Sequence, residues 1–173
     1  MTDTNQTSPQ RPHFDAQRAI DFARSELFER TFKEGMGLVE ETAAYLDGPG
    51  RAASKRLSRG AALAYAGESM RLTTRLMQVA SWLLVQRAVR DGEIKLEEAA
   101  SEKYRLISRE QQPAATFAGS DELPEALKAL IIRGAAIYER VRRLDETMYE
   151  TGGETAANPV SEQLAKLTQA FGR

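Results

Sequence analysis

One stretch limits what this chain can fold into. Ala61 to Arg90, AALAYAGESMRLTTRLMQVASWLLVQRAVR, holds no proline and one glycine, Gly67. Leu63, Ala66, Met70, Thr73, Met77, Ala80 and Leu84 recur at alternating spacings of three and four, the period of one helical face. A second stripe lies beside it: Tyr65, Ser69, Leu72, Leu76, Val79 and Leu83. A third stripe begins polar, at Arg71, Arg75 and Gln78, and ends apolar, at Trp82, Val85 and Val89. Two adjacent stripes make an arc wider than one partner helix can cover. The pattern therefore predicts a central helix over Ser58–Arg90, capped by Ser58 and touching at least two neighbours.

The rest of the chain supplies those neighbours. Met1 to Pro12 is polar with two prolines, and 1–14 is expected to be a disordered tail. A first long helix is expected from Asp15 to Leu46, with the stripe Phe28, Phe32, Gly35/Met36, Val39, Ala43 and Leu46. Gly35 and Gly37 inside it suggest close helix packing. Asp47-Gly48-Pro49-Gly50 ends it. A short helix is expected over Lys95–Ser108, with Leu96, Ala100, Tyr104 and Ile107 on one face. A third long helix, Asp121–Glu150, carries Leu123, Leu127, Leu130, Gly134, Ile137, Val141, Leu144 and Met148 at alternating spacings of four and three. The predicted fold is all-α: a near-antiparallel bundle of three long helices with a short extra helix between the second and third. The bundle domain spans 15–150. Residues 151–173 form a flexible tail with one amphipathic segment.

Chemistry is scarce. With no cysteine there is no thiol nucleophile and no thiolate metal site, and the one histidine, His13, sits in the polar terminal segment. Glu97, Glu98 and Glu102 match no ligand spacing and read as a solvated acidic face. No cofactor is expected, and no catalytic or metal residue is assigned. The formal net charge of −1 gives no steering toward nucleic acid. Glu68 and Arg71 form an ordinary helix pair. Nothing approaches a membrane span, so the cytoplasm is the default.

What remains is recognition of other proteins. Arg51, Lys55, Arg56 and Arg59 make an acid-free connector, either solvated or a docking patch for an acidic protein surface. Trp82, Val85 and Val89 mark a dimer surface, unless Leu96, Tyr104 and Ile107 fold back over them. Val160, Leu164, Leu167 and Phe171 form an apolar face behind a Gly-Gly tether. That face either lies in a partner's groove or docks on its own bundle.

Two runs carry a resemblance. ESMRLTTRLMQVASWLL (Glu68 to Leu84) and FKEGMGLVEETAAYLDGPGR (Phe32 to Arg51) resemble the alphaproteobacterial regulator-of-CtrA-degradation family. The resemblance covers Phe32 to about Glu150. It implies a small all-helical homodimer, not an enzyme, that serves as an adaptor for the ClpXP protease. Its implied partners are a receiver-domain priming protein and cargo such as CtrA, in the cytoplasm and concentrated at a cell pole. The competing reading is a structural helical bundle that binds a small ligand and has no role in proteolysis.

Overall fold

The computed structural model describes residues 16–106 and 119–149. Within them every regular element is helical: α1 (Ala16–Ala23), α2 (Glu26–Asp47), α3 (Pro49–Ser54), α4 (Arg59–Arg90), α5 (Leu96–Ala99), a 3-10 turn (Ser120–Glu122) and α6 (Glu125–Tyr149). The three long helices α2, α4 and α6 are the ones that the apolar periodicities predict.

The first predicted helix is in fact two. Ser25 interrupts it, because its hydroxyl can both accept and donate. It accepts from the Phe28 amide at 3.2 Å, capping α2, and donates to the Phe22 carbonyl at 2.7 Å. The break turns α1 so that Phe22 meets Phe28 edge-on, with ring centroids 5.7 Å apart. The core face of α2 is also displaced from its predicted stripe. Phe28, Thr31, Gly35, Leu38 and Thr42 are buried, whereas Ala43 is exposed.

Contacts between helices set their directions. Glu29 pairs with Arg90, Gly35 packs on Leu83 and Gly50 packs on Tyr65, so α2 and α4 are antiparallel. Arg133–Glu41 at 2.7 Å and Arg140–Glu34 at 2.5 Å make α2 and α6 antiparallel. However, Gly134 meets Leu72, Asp145 meets Trp82 and Tyr149 meets Gln86, so α4 and α6 run parallel. The expectation of antiparallel packing between successive long helices is thus corrected for this pair. The physical reason lies at Gly119, which sits against Ala61 at the start of α4. The chain leaves α4 at Asp91 and is back at the opposite end of that helix before α6 begins. A parallel neighbour requires such a return. Gly119 has φ +92°, and a Cβ there would lie 2.6 Å from the Ala61 amide nitrogen, so glycine suits the site on both counts.

Two further predicted boundaries move. The short helix is a single turn, Leu96–Ala99, not Lys95–Ser108. So short a helix has little stability of its own, and Arg105 and Leu106 reach the bundle from beyond its end. The third long helix starts at Glu125, because Pro124 holds Leu123 extended (φ −61°, ψ 140°).

The core lies where α2 and α6 close on one side of α4. Leu72, Leu76, Val79 and Leu83 meet Phe28, Leu38, Leu127, Leu130, Ile137 and Val141. Glycines allow the close approach: a Cβ on Gly35 would lie 2.7 Å from Leu83 Cδ1, and one on Gly134 would lie 2.5 Å from Leu72 Cδ1.

Candidate interaction surfaces

The largest departure from the expected burial is on α4. The stripe through Tyr65, Leu72, Leu76, Val79 and Leu83 is buried, as the periodicity suggests. The stripe beside it is not. Leu63 is 65% exposed, Met70 73%, Met77 56% and Leu84 48%. α2 and α6 approach from the same side, and α1 adds a third neighbour near Trp82, so nothing among the described residues covers this face. Of its predicted members only Ala80 is buried. No charged residue interrupts it between Leu63 and Leu84. Arg71 is turned aside and pairs with Glu68 at 3.2 Å. A continuous exposed apolar strip of this kind marks an interaction surface. The signal was legible in the sequence as a seven-residue repeat of large apolar side chains, and it was read there as core.

Trp82 cannot belong to an exposed dimer patch: it is 1% exposed. Part of the covering comes from the segment after α5, through Leu106, a residue that the alternative reading does not name. Leu106 is buried in the same core cluster, and Phe22 of α1 lies 6.1 Å from the indole between ring centroids. Val85 and Val89 are half-buried, whereas Ile107 lies outside the described residues. The indole nitrogen donates to Asp145 Oδ1 at 2.8 Å, and Arg105 Nε donates to the other carboxylate oxygen at 2.9 Å. Asp145, 2% exposed, is thus a buried anion holding α4, α6 and the returning chain together. Its neighbours Arg142, Arg143 and Glu146 give the local sequence a mixed-charge look, but Asp145 lies four residues after Val141 and three before Met148, on the buried face of α6. One turn along, the Tyr149 hydroxyl and the Gln86 amide exchange hydrogen bonds at 3.0 and 3.1 Å, and Arg105 lies over the Tyr149 ring. Burial pushes the Tyr149 phenol up, and the bond from Gln86 opposes that shift. Removing one partner from a buried ion pair such as Arg105–Asp145 typically costs about 3–5 kcal/mol, so the network is structural in kind.

Beside this network a groove of about 500 Å³ opens between α4 and the returning chain. Thr74, Met77, Ser81 and Val85 line one wall, and Lys103 to Leu106 the other. It runs along the edge of the exposed apolar strip.

The basic connector is exposed at all four predicted positions, Arg51, Lys55, Arg56 and Arg59. Pro49 opens α3 directly after α2 ends, and Arg51 reaches back loosely to Asp47 at 3.8 Å. Ser58 caps α4 as expected, accepting from the Ala61 amide at 3.3 Å. The remaining predicted docking residues, Val160, Leu164, Leu167 and Phe171, lie outside the described residues. Among the described residues no cluster of histidine, cysteine, aspartate or glutamate could hold a metal, and no helix is long and apolar enough to cross a membrane.

Known proteins resemble this architecture. A family described as a protein of unknown function (DUF1465) matches residues 19–171. The crystal structure of RcdA from Caulobacter crescentus CB15 is 62% identical, with the match covering 75% of this chain and 97% of that one at a TM-score of 0.63. The chain belongs to the RcdA family. The family match is wider than the two resembling runs, since it takes in most of α1 and most of the C-terminal segment through Phe171. No curated protein matches the chain.

Proposed function

We propose that this protein is a non-enzymatic adaptor that delivers cell-cycle regulators of the CtrA type to the ClpXP protease. The observation that carries this reading is its 62% identity to RcdA across 97% of that protein. The layout is compatible with it: a rigid bundle with an exposed apolar strip, an exposed basic connector and an amphipathic C-terminal segment offers surfaces rather than chemistry. On this reading the protein works in the cytoplasm, concentrated at a cell pole, as a homodimer that a receiver-domain protein primes on the protease. Arg51, Lys55, Arg56 and Arg59 supply charge for an acidic partner, and Val160, Leu164, Leu167 and Phe171 supply an apolar face for cargo or protease. The folded domain is the helical bundle of 15–150, with 1–14 and 151–173 as separate segments.

Reconstitution tests the adaptor role. Purified ClpXP, a receiver-domain primer and CtrA are combined with and without this protein, and cargo half-life is read. The expected result is faster degradation only when the protein is present, with loss of at least one cargo after truncation at Thr151. Unchanged half-lives for every candidate cargo would remove the adaptor reading. Recovery of a bound metabolite from the groove near Trp82, without protein partners, would favour the small-ligand alternative.

A further inference from the structure

The groove beside Trp82 has the length and the period of a segment that this chain carries. Thr74, Gln78, Ser81 and Val85 line its α4 wall at spacings of four, three and four. Val160, Leu164, Leu167 and Phe171 repeat the same spacings. From Thr74 to Val85 the helix rises about 16 Å, and residues 160–171 as a helix would span the same distance. Matched periods of this kind let two helices share one seam. We propose that in the free protein residues 160–171 lie in this groove as a helix antiparallel to α4. Val160 then sits level with Val85, Leu164 with Ser81, Leu167 with Gln78 and Phe171 with Thr74. The docked state goes beyond the adaptor reading and does not depend on it, because it concerns the segment before any partner takes it.

The path of the chain sets the direction. α4 and α6 are parallel, so α6 ends beside the Val85 end of the groove. Tyr149, its last residue, exchanges hydrogen bonds with Gln86, and Arg105, which lines the groove, lies over the Tyr149 ring. Residues 150–159 then join α6 to the segment, with Gly152-Gly153 suited to the reversal that the route requires. Extended, they reach about 33 Å, against about 10 Å between the axes of packed helices. The segment can therefore enter at the Val85 end and run from there toward Thr74. A tether this short holds it at an effective concentration on the order of millimolar, so a weak intrinsic fit suffices. The surfaces also agree. The α4 wall carries no charge. At the helical period Ser161, Gln163, Thr168 and Ala170 flank the apolar face of the segment, whereas Glu162 and Lys166 fall on the opposite side. The Thr73 and Thr74 hydroxyls already donate to the Ser69 and Met70 carbonyls, at 2.8 and 2.9 Å, so covering them strands no donor.

The chain has no cysteine, so paired substitutions report the register in the full-length protein. Ser81→Cys with Leu164→Cys, and Thr74→Cys with Phe171→Cys, place two thiols at one level. The crossed pairs, Ser81→Cys with Phe171→Cys and Thr74→Cys with Leu164→Cys, are offset by about 10 Å along the helix, beyond disulfide reach. Each protein is oxidised at low micromolar concentration, and links within one chain are separated from links between chains on non-reducing gels and by mass. The expected result is fast linkage within one chain for the level pairs and slow linkage for the crossed pairs. Leu167→Glu, added to the Thr74 and Phe171 pair, is expected to slow linkage at least roughly 10-fold, as loss of a buried leucine allows. An unchanged rate would overturn the proposal. Equal rates for all four pairs would mean that the segment is only tethered nearby, and faster linkage of the crossed pairs would mean parallel docking; either overturns it. Linkage only between chains would give the groove to a second copy's segment, and no linkage in any pair would leave the groove without this segment; both overturn it as well. Amide hydrogen exchange across residues 160–171 reads the same state without cysteines. It is expected to be slower in the wild type than in Ser81→Arg, where an exposed position of the groove wall is blocked. Equal exchange in the two proteins would overturn the proposal.

Discussion

Leu83 and Leu84 are neighbours in one helix and have opposite fates. Leu83 is fully buried against Gly35 of α2, whereas Leu84 is 48% exposed. The same contrast runs along all of α4, one stripe sealed beneath α2 and α6 and the next open to solvent. By period and apolarity the two stripes are equivalent, so period alone does not tell which of them meets a neighbour in the same chain. The outer face of α6 sharpens the point. There Glu139, Arg142, Arg143 and Glu146 form a chain of ion pairs, with Arg142–Glu139 at 2.6 Å and Arg143–Glu139 at 3.2 Å. That is how this protein builds a face meant for water. The open stripe of α4 has no such residues, and the difference marks it as unfinished within one copy.

The largest expected effect separates the two neighbours. Leu83→Ala removes a fully enclosed side chain and should cost about 2–5 kcal/mol. Leu84→Ala should lie within about 0.5 kcal/mol of wild type for an isolated copy, as exposed substitutions usually do. Urea denaturation at protein concentrations below dimer dissociation measures both. Equal losses would mean that the open stripe is covered within one chain, which would erase the contrast.

The comparison also shows what the sequence could reveal. The three long helices, the Ser58 cap, the Asp47-Gly48-Pro49 stop and the α6 stripe follow from local spacing and local hydrogen bonding, and the structure has them. Three features depend on where distant residues arrive. The Ser25 break exists because α1 must lay Phe22 against Phe28 and Trp82. The parallel course of α6 depends on how far the chain travels between Asp91 and Gly119. The burial of Asp145 depends on Trp82 and Arg105 reaching it from other elements. Of the candidate sites, the basic connector was legible as exposed charge. The sequence leaves Trp82 open between a dimer surface and a covered site, because its cover comes from parts of the chain that share no period with it.

A smaller contrast repeats the lesson on α2, with opposite signs. A Cβ at Gly35 would lie 2.7 Å from Leu83 Cδ1 and 3.3 Å from Ile137 Cδ1, so alanine must push two core side chains aside. Overpacking of that kind costs about 1–3 kcal/mol, and the gain in helix propensity returns up to about 1 kcal/mol. Gly35→Ala should therefore destabilise by roughly 0–2 kcal/mol. At Gly37 nothing lies within 4 Å of the new atom, so only the propensity term remains and Gly37→Ala should stabilise by up to about 1 kcal/mol. Melting curves of the pair check the sign at each site. Stabilisation by Gly35→Ala would show that α4 does not press on α2 at Leu83, and that the sealed stripe is looser than its burial implies.

The smallest effect tests the water-adapted face against which the open stripe is judged. Hydrogen bonds from Arg142 and then Arg143 hold the Glu139 carboxyl down to about 2, from an ordinary value of 4.5. A carboxylate whose folded value is depressed contributes stability above its unfolded value and loses it as pH falls through the folded one. The contribution of Glu139 should thus be complete above about pH 4.5 and fade on acidification toward about pH 2. Its size is small, because water and salt screen an exposed pair. Carbon-13 titration of the Glu139 side chain should show a midpoint near 2 that Arg142→Gln moves back toward 4.5. High salt should move it in the same direction. A wild-type midpoint already at 4.5 would mean that these ion pairs do not persist in solution. The outer face of α6 would then be a set of independently solvated charges. The open stripe of α4 would still lack charge, so its claim to a partner would rest on its apolar repeat and its exposure alone.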